Sequence, residues 1–330
     1  MLRHHQQVAL NPVRNGMSVF VRFTALAVFI ATPTAAAHAA SGDKAMRPAE
    51  ATRADIQKTI GFVPSFFLKF PDAALPGVWE EMKTLQMNPK TALTGKTKEL
   101  IGLAVAAQIP CRYCTYAHTQ FAKLGGASTG ELGEAVAMAA LTRHWSTFIN
   151  GIQTDLGKFR AELGRIVDTA RKGKAMQMGM PVAVVDGQTA LADIAQSFGF
   201  APEFIKRFPD VARAGAWREL KDLQMNPATT LSGKDKELIG LAVSAQVPCQ
   251  YCIVAHTEFA RLNGASDAEI DEAIAMAALT RNMSTMLNGL DIDEPQFRRD
   301  VDRLVKGAKA MKEMSMSMSA KPRASAVSAR

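Results

Sequence analysis

Residues 94–127 read TGKTKELIGLAVAAQIPCRYCTYAHTQFAKLGGA, and residues 232–265 repeat them as SGKDKELIGLAVSAQVPCQYCIVAHTEFARLNGA. The two segments are identical at 24 of 34 positions, and a constant offset of 138 residues separates them. Each segment contains the pattern E-x11-C-x2-C-x3-H, and together they hold the four cysteines of the chain. This duplication indicates that each cysteine pair, with its flanking acid and base, is a unit with its own chemistry.

The apolar residues of the first segment recur with the period of a helix. Leu100 and Leu103 fall on one face of a helix that is predicted to begin near Thr97 and to end at Pro110. A second helix is predicted over residues 111–124, because a Gly-Gly pair follows it. The pattern S-x-x-E, a capping box, then predicts the start of a third helix that is rich in Ala and Met.

The self-similarity extends far beyond the cysteines and contains no insertion or deletion. We found no convincing alternating strand pattern, so the predicted fold class is all-α, with two tandem helical domains in one chain. The predicted domains are a signal peptide at 1–39, repeat one at 40–180, repeat two at 188–318 and a disordered tail at 319–330. The short join between the repeats predicts that the two halves pack together.

The N-terminus has the three parts of an export signal. Arg14 and Arg22 precede the apolar run 23–31, and Ala37-His38-Ala39 is a small-x-small cleavage site. The apolar run is too short to span a bilayer. We therefore expect cleavage near Ala39, a periplasmic or secreted protein, and no membrane association after cleavage. The alternative is a leader that stays in the cytosol.

Composition excludes some classes of function. Apolar residues make up 48% of the chain and charged residues 21%, as in an ordinary soluble globular protein. The formal net charge is +8, but basic and acidic residues are interspersed. No basic stripe that could follow a phosphate backbone is evident, so we expect no nucleic-acid partner.

The residues of the repeated pattern suit a redox-active dithiol. Cys111 and Cys114 fall at the start of a predicted helix, where the helix dipole stabilises thiolate over thiol. His118 lies one helical turn beyond Cys114 and can take the thiol proton or pair with the thiolate. Glu99, on the preceding helix, can orient the imidazole or pass a proton. The second copy supplies the same candidate catalytic set at Glu237, Cys249, Cys252 and His256.

Two other interpretations of these residues stay open. Cys-x2-Cys-x3-His offers three zinc ligands and the glutamate a fourth, although structural zinc usually takes its ligands from loops rather than from within a helix. The repeated Met-x-Met-x-Met segments, which start at Met176 and Met314, could bind Cu(I), or they could be adaptable apolar segments. We expect no metal and no cofactor. His144, which aligns with Asn282, is interpreted as a surface or interface residue.

The pattern, together with the preceding Gly-Phe-x-Pro-x-Phe segment, resembles the alkylhydroperoxidase D (AhpD)-like branch of the carboxymuconolactone decarboxylase family. The resemblance covers nearly all of both repeats. It implies an all-helical, oligomeric protein whose cysteine pair cycles between dithiol and disulfide while it reduces hydroperoxides. The partners it implies are a hydroperoxide substrate, an unidentified thiol reductant and further copies of the chain, for example in a trimer.

The resemblance also implies a role for each site residue. Cys114 is the expected peroxide-attacking thiolate, since it is nearest His118, and Cys111 resolves the sulfenic acid as a disulfide. Glu99 and His118 form the proton relay, and repeat two is expected to work in the same way. The best-known family member has a further histidine between its cysteines, where this chain has Arg-Tyr or Gln-Tyr.

Two alternatives to a peroxidase stay open. One is an exported oxidoreductase that exchanges disulfides with protein thiols. The other is a metal-binding or scaffold protein without turnover.

Overall fold

The computed structural model describes residues 47–172 and 183–319. Within these residues all regular elements are helical: fourteen α-helices and two π-helical turns. The helices are α1 Pro48–Ile60, α2 Ser65–Leu68, α3 Leu75–Glu81, α4 Gly95–Gln108, α5 Arg112–Leu124, α6 Thr129–Gly151, α7 Leu156–Arg171, α8 Gly187–Phe198, α9 Glu203–Lys206, α10 Asp210–Glu219, α11 Gly233–Gln246, α12 Gln250–Leu262, α13 Asp267–Gly289 and α14 Glu294–Ser319. The π-helical turns, Met82–Gln86 and Leu220–Gln224, follow α3 and α10.

The helices repeat in the same order. Helices α1–α7 form the first copy and α8–α14 the second, with most boundaries displaced by 138 residues. The predicted fold class, all-α with two tandem helical domains, is confirmed. The exact domain borders stay predictions, because the predicted signal peptide at 1–39, the border between the repeats at 173–182 and residues 320–330 of the predicted tail lie outside the described residues.

Local sequence signals explain the helix ends. The Thr94 hydroxyl accepts the backbone N–H of Thr97, so α4 begins at Gly95, slightly earlier than predicted. The predicted capping box is present, because Ser128 and Glu131 accept each other's backbone N–H groups at the start of α6.

Helices α4 and α11 lie at the centre of the protein. All of residues 97–106 in α4 are buried, which shows why this helix is apolar on nearly every side. The packing is crosswise: α6 of repeat one covers α11 of repeat two, and α13 of repeat two covers α4 of repeat one. The two halves therefore pack together, as the short join predicts, and each of the two hydrophobic clusters contains residues of both repeats.

Carboxylates from the long helices also tie the repeats together. Glu134 on α6 accepts the backbone N–H groups of Thr230 and Leu231, at 2.7 and 2.8 Å, from the loop before α11. Glu272 on α13 makes the equivalent contacts, at 2.6 and 2.9 Å, with the loop before α4. Each loop that leads into a central helix is thus held by the other repeat.

The peripheral helices differ more between the repeats. Helix α14 continues well past the length of α7 and exposes Met311 and Met314 to solvent. The segment Met176–Met180 lies outside the described residues, and so do the side chains of Met316 and Met318. The copper alternative therefore stays untested. Across the described part of the chain, no helix combines the length and hydrophobicity needed to cross a bilayer.

Candidate active site

The first cysteine of each pair caps a helix. Cys111 has an extended backbone and is the N-cap residue of α5, rather than a residue of its first turn. Its Sγ accepts the backbone N–H of Cys114 at 3.2 Å, and Cys249 and Cys252 have the same arrangement at 3.2 Å. A sulfur at the N-cap takes one of the N–H groups that a helix start leaves unpaired.

The structure joins the sulfurs of one pair and leaves those of the other pair as thiols. Cys249 and Cys252 form a disulfide across a Cα–Cα distance of 5.3 Å. Cys111 and Cys114 are free thiols, and both are buried. The same turn of backbone therefore accommodates both the dithiol and the disulfide, as a redox-active C-x-x-C pair requires.

Cys111 is the more acidic thiol of the reduced pair. Hydrogen bonding from Cys114 is the largest cause that lowers its pKa, and burial opposes it. Ser284, the Cys114 backbone N–H and Asn288 lower it further, so that the pKa is about 6 rather than 9.0. A thiolate with these donors is mostly ionised at neutral pH.

Cys114 keeps its proton. Its pKa is raised by the hydrogen bond it shares with Cys111, by burial and by the negative charge on Cys111. In the resting dithiol the charge is therefore on Cys111, and the expected role of Cys114 as the peroxide-attacking thiolate stays a prediction. Two adjacent sulfurs cannot both carry charge at low cost, and Cys111 is the one that receives the larger set of donors.

The predicted acid–base pair lies within a short hydrogen bond. His118 Nδ1 is 2.7 Å from Glu99 Oε2, and both side chains are buried. Gln86, in the π-helical turn after α3, donates to the other oxygen of Glu99 at 2.9 Å. The second site repeats both distances, with His256, Glu237 and Gln224. A buried carboxylate held on both oxygens fixes the orientation of the imidazole.

The imidazole does not contact the sulfur as directly as predicted. Among the described residues, neither ring nitrogen of His118 forms a hydrogen bond to a cysteine, and Nε2 lies 3.4 Å from the Thr280 hydroxyl. The ring packs on Gly102 of α4, where a Cβ atom would overlap it. Proton transfer between sulfur and imidazole therefore requires a substrate or water molecule between them.

Sequence reasoning missed a polar stripe that each site receives from the other repeat. Thr280, Ser284 and Asn288 lie on α13 and face the first site, while Thr142, Ser146 and Asn150 occupy the equivalent positions of α6. A signal was present in the sequence: both long helices carry the pattern T-x3-S-x3-N within an apolar stretch.

A cavity of about 320 Å³ lies at the second site. Cys252, His256 and Glu237 all line it, whereas Cys249 does not. Its walls are mainly apolar and come from both repeats, including Trp145, Phe159 and Leu163 of repeat one and Phe198, Phe204 and Phe259 of repeat two. No Lys or Arg is among the described residues that line it. The cavity thus presents one sulfur and a buried acid–base pair to an apolar ligand.

The remaining candidates lie outside this arrangement. In the described ranges, no group of three or more His, Cys, Asp or Glu side chains is placed to hold a metal ion, so the geometry gives the zinc alternative no support. His144 is partly exposed, stacks on Trp145 and lies 3.5 Å from Glu219. It therefore contacts a residue of the cavity wall but not the dithiol.

Comparison with known proteins places the chain in a family. The model of the carboxymuconolactone decarboxylase family matches residues 73–153 and 210–294, together about half of the chain and once in each repeat. No curated protein matches. Among solved structures, a protein from Burkholderia xenovorans LB400, provisionally described as a gamma-carboxymuconolactone decarboxylase subunit, has 17% sequence identity and a TM-score of 0.45, over 82% of this chain and 98% of that chain. On the strength of the family match in both halves, this chain belongs to the carboxymuconolactone decarboxylase family as a tandem duplication.

Proposed function

We propose that this protein is an AhpD-like thiol peroxidase that reduces organic hydroperoxides with one dithiol in each repeat. The observation that carries the proposal is the cavity of the second site. There the sulfur of Cys252 shares an apolar chamber with the hydrogen-bonded pair of His256 and Glu237. A sulfur nucleophile that shares an apolar pocket with an oriented base suits peroxide reduction.

The reduced second site would act in two steps. Cys252 attacks the outer peroxide oxygen, so that an S–O bond forms and the O–O bond breaks. Its thiol proton passes through His256 to the departing alkoxide, which leaves as the alcohol. The Cys249 thiolate then attacks the sulfenic sulfur, an S–S bond forms, and the hydroxide released takes up a proton to become water. An external thiol restores the dithiol.

The acidity of the first cysteine suits the second step. Cys111, the counterpart of Cys249, has a pKa of about 6 and is already a thiolate at neutral pH. It can therefore attack the sulfenic acid without waiting for a base. In this scheme the cavity-lining cysteine attacks the peroxide and the N-cap cysteine resolves the product, the roles that the family resemblance implies.

The cavity argues against the reaction in the family's name. A carboxylated lactone is an anion and would need a cationic partner in a buried site. The described lining supplies no Lys or Arg. An uncharged hydroperoxide with an alkyl or aromatic group fits this environment better.

Burial of the sulfurs also argues against direct exchange with folded proteins. Cys249 is 0% exposed and Cys252 only 6% exposed. A protein disulfide cannot approach a sulfur at that depth, whereas a small peroxide or a slender thiol can enter the cavity. Disulfide exchange with protein thiols is therefore a weaker proposal than peroxide reduction.

The activity test is peroxide consumption by the reduced protein. Each methylene buried in the cavity contributes about 0.8 kcal/mol, or about a fourfold gain in kcat/KM. We expect cumene hydroperoxide to react faster than hydrogen peroxide with dithiothreitol as the reductant. Activity should disappear in Cys114→Ser/Cys252→Ser and persist in His144→Asn, which copies the residue found in repeat two. Unchanged peroxide consumption in the double cysteine variant would contradict the proposal.

Export and self-association are further proposals. Export rests on the sequence of residues 1–39, which lie outside the described part of the chain. The mass of the mature protein recovered from a bacterial host's periplasm tests it, with cleavage expected near Ala39. Self-association rests on the family resemblance alone, and light scattering that reports a monomer would contradict it.

A further inference from the structure

Contacts within its own repeat do not explain why each long helix carries a polar stripe. Thr280, Ser284 and Asn288 are spaced four residues apart, so they lie along one face of α13. Thr280 and Ser284 are 1% and 4% exposed, within a helix whose other buried residues are apolar. Polar side chains at such positions are costly unless they are hydrogen-bonded.

At one end, the stripe reaches the first cysteine of the opposite repeat. Asn288 Nδ2 lies 3.6 Å from Cys111 Sγ, although the two residues are 177 positions apart. Asn150 Nδ2 is 3.5 Å from Cys249 Sγ in the other site. The Asn288 amide is held in place by a 2.7 Å bond to the carbonyl of Ser284.

At the other end, the stripe reaches the histidine of the opposite repeat. The Thr280 hydroxyl lies 3.4 Å from His118 Nε2, and the Thr142 hydroxyl lies 3.4 Å from His256 Nε2. The opposite ring nitrogen is bonded to the glutamate in both sites. The stripe therefore contacts the nitrogen that is left free to exchange a proton.

A third contact also joins the two repeats at each site. Tyr113 lies between Cys111 and Cys114 in the sequence, and its hydroxyl donates to the backbone carbonyl of Ile292 at 2.6 Å. Tyr251 makes the matching bond to the carbonyl of Thr154. The loop after each long helix thus anchors the C-x-x-C turn of the other repeat, which keeps the stripe and the sulfurs in register.

We propose that the Thr-x3-Ser-x3-Asn stripe of each repeat is an active-site element of the other repeat. Its asparagine and serine position the sulfur of the first cysteine, and its threonine positions the free ring nitrogen of the histidine. Neither site is complete within the repeat that carries its cysteines. This arrangement gives a physical reason for two copies in one chain, since each copy supplies what the other lacks.

The test uses two single-site proteins. Cys249→Ser/Cys252→Ser leaves only the first site, and Cys111→Ser/Cys114→Ser leaves only the second. Both are kept reduced, and thiolate absorbance at 240 nm is followed against pH. Thiol ionisation does not depend on the substrate, so failure of this test and failure of the proposed peroxidase activity are distinguishable.

Other titratable groups near the first site must be considered in such a titration. They are Arg112, Tyr113, Cys114 and His118 on α5, Glu99 on α4, Asp291 in the loop after α13, and Glu294, the first residue of α14. The variants chosen here leave all of them in place. Any shift in the thiolate midpoint then reports the removed amide.

We expect each variant to change the thiolate midpoint of the site in the other repeat. Asn288→Ala, a change in repeat two, should raise the midpoint of the first-site protein by about half a pH unit, because this exposed amide is the smallest of the donors that lower the Cys111 pKa, and it should leave the second-site protein unchanged. Asn150→Ala should do the reverse, which makes each variant the folding control of the other. Asn288→Asp should raise the first-site midpoint further, because it adds a like charge. Equal shifts in both proteins, no shift, or a shift confined to the variant's own repeat would overturn the proposal.

Discussion

Replacing Cys114 by Ala should make Cys111 a much weaker acid. Hydrogen bonding from Cys114 is the largest cause of the low pKa of Cys111, and the variant removes it. At a pKa of about 6, the ratio of thiolate to thiol at pH 7 is about 10 to 1. At the ordinary value of 9.0 the ratio is about 1 to 100, so the ionised fraction should fall from about nine-tenths towards one-hundredth.

The assay is thiolate absorbance in the Cys249→Ser/Cys252→Ser background, where only the first site can ionise. We expect a midpoint near 6 before the change and a midpoint well above 7 in Cys114→Ala. Burial, which raises the pKa of Cys111, and the donors Ser284 and Asn288, which lower it, then oppose each other. A midpoint that remains near 6 would refute the view that the two thiols share one proton.

The same coupling predicts how the stability of the reduced protein depends on pH. Cys111 ionises at lower pH when folded than when unfolded, so the unfolded chain binds more protons between about pH 6 and 9. Stability should therefore rise with pH across that window and fall as the pH is lowered through it. Above about pH 9 the raised pKa of Cys114 acts in the opposite direction, because the folded protein keeps a proton that the unfolded chain loses.

Three further changes test other contacts. Gly102→Ala should push the His118 ring out of place and reduce first-site peroxide turnover at least tenfold, whereas Gly133→Ala, with open space around it, should retain activity and gain up to about 1 kcal/mol of stability. Gln86→Ala should lower first-site turnover about tenfold without moving the thiolate midpoint, and a moved midpoint would count against its assignment to the acid–base pair. Glu134→Gln should lower the free energy of unfolding at pH 7 by about 1–3 kcal/mol, by chemical denaturation. Burial opposes the ionisation of Glu134, but hydrogen bonds from backbone N–H groups outweigh burial and lower its pKa. The stability difference between Glu134→Gln and the original protein should therefore vanish as the pH falls through that lowered value. A stability difference that persists in acid would contradict the role of the ionised Glu134 carboxylate.

Several features of the fold were predictable because they depend on neighbours in the sequence. The second helix ends at Leu124 before a Gly-Gly pair, and the third starts at a capping box. The contact of Glu99 with His118 was also predictable, since it joins two consecutive helices that one break separates. The repeat then extended each of these features to the second half.

Other features of the site were out of reach. The sequence placed both cysteines at the start of a helix, and it did not indicate that Cys111 would be the more acidic of the two. The walls of the cavity come from helices of both repeats, so no single segment predicts its shape or its polarity. Gln86 was overlooked because a glutamine in a short π-helical turn carries no motif.

The sequence by itself determined that the chain is a duplicated helical protein and which acid, base and sulfurs belong together. Those facts are written in spacing, and helix geometry converts spacing into proximity over one or two turns. Tertiary structure decided which half of the chain brings a threonine and an asparagine to each site. The contacts responsible join residues 162 and 177 positions apart at the first site and 114 and 99 positions apart at the second, and the packing of α6 and α13 across the two central helices brings them together.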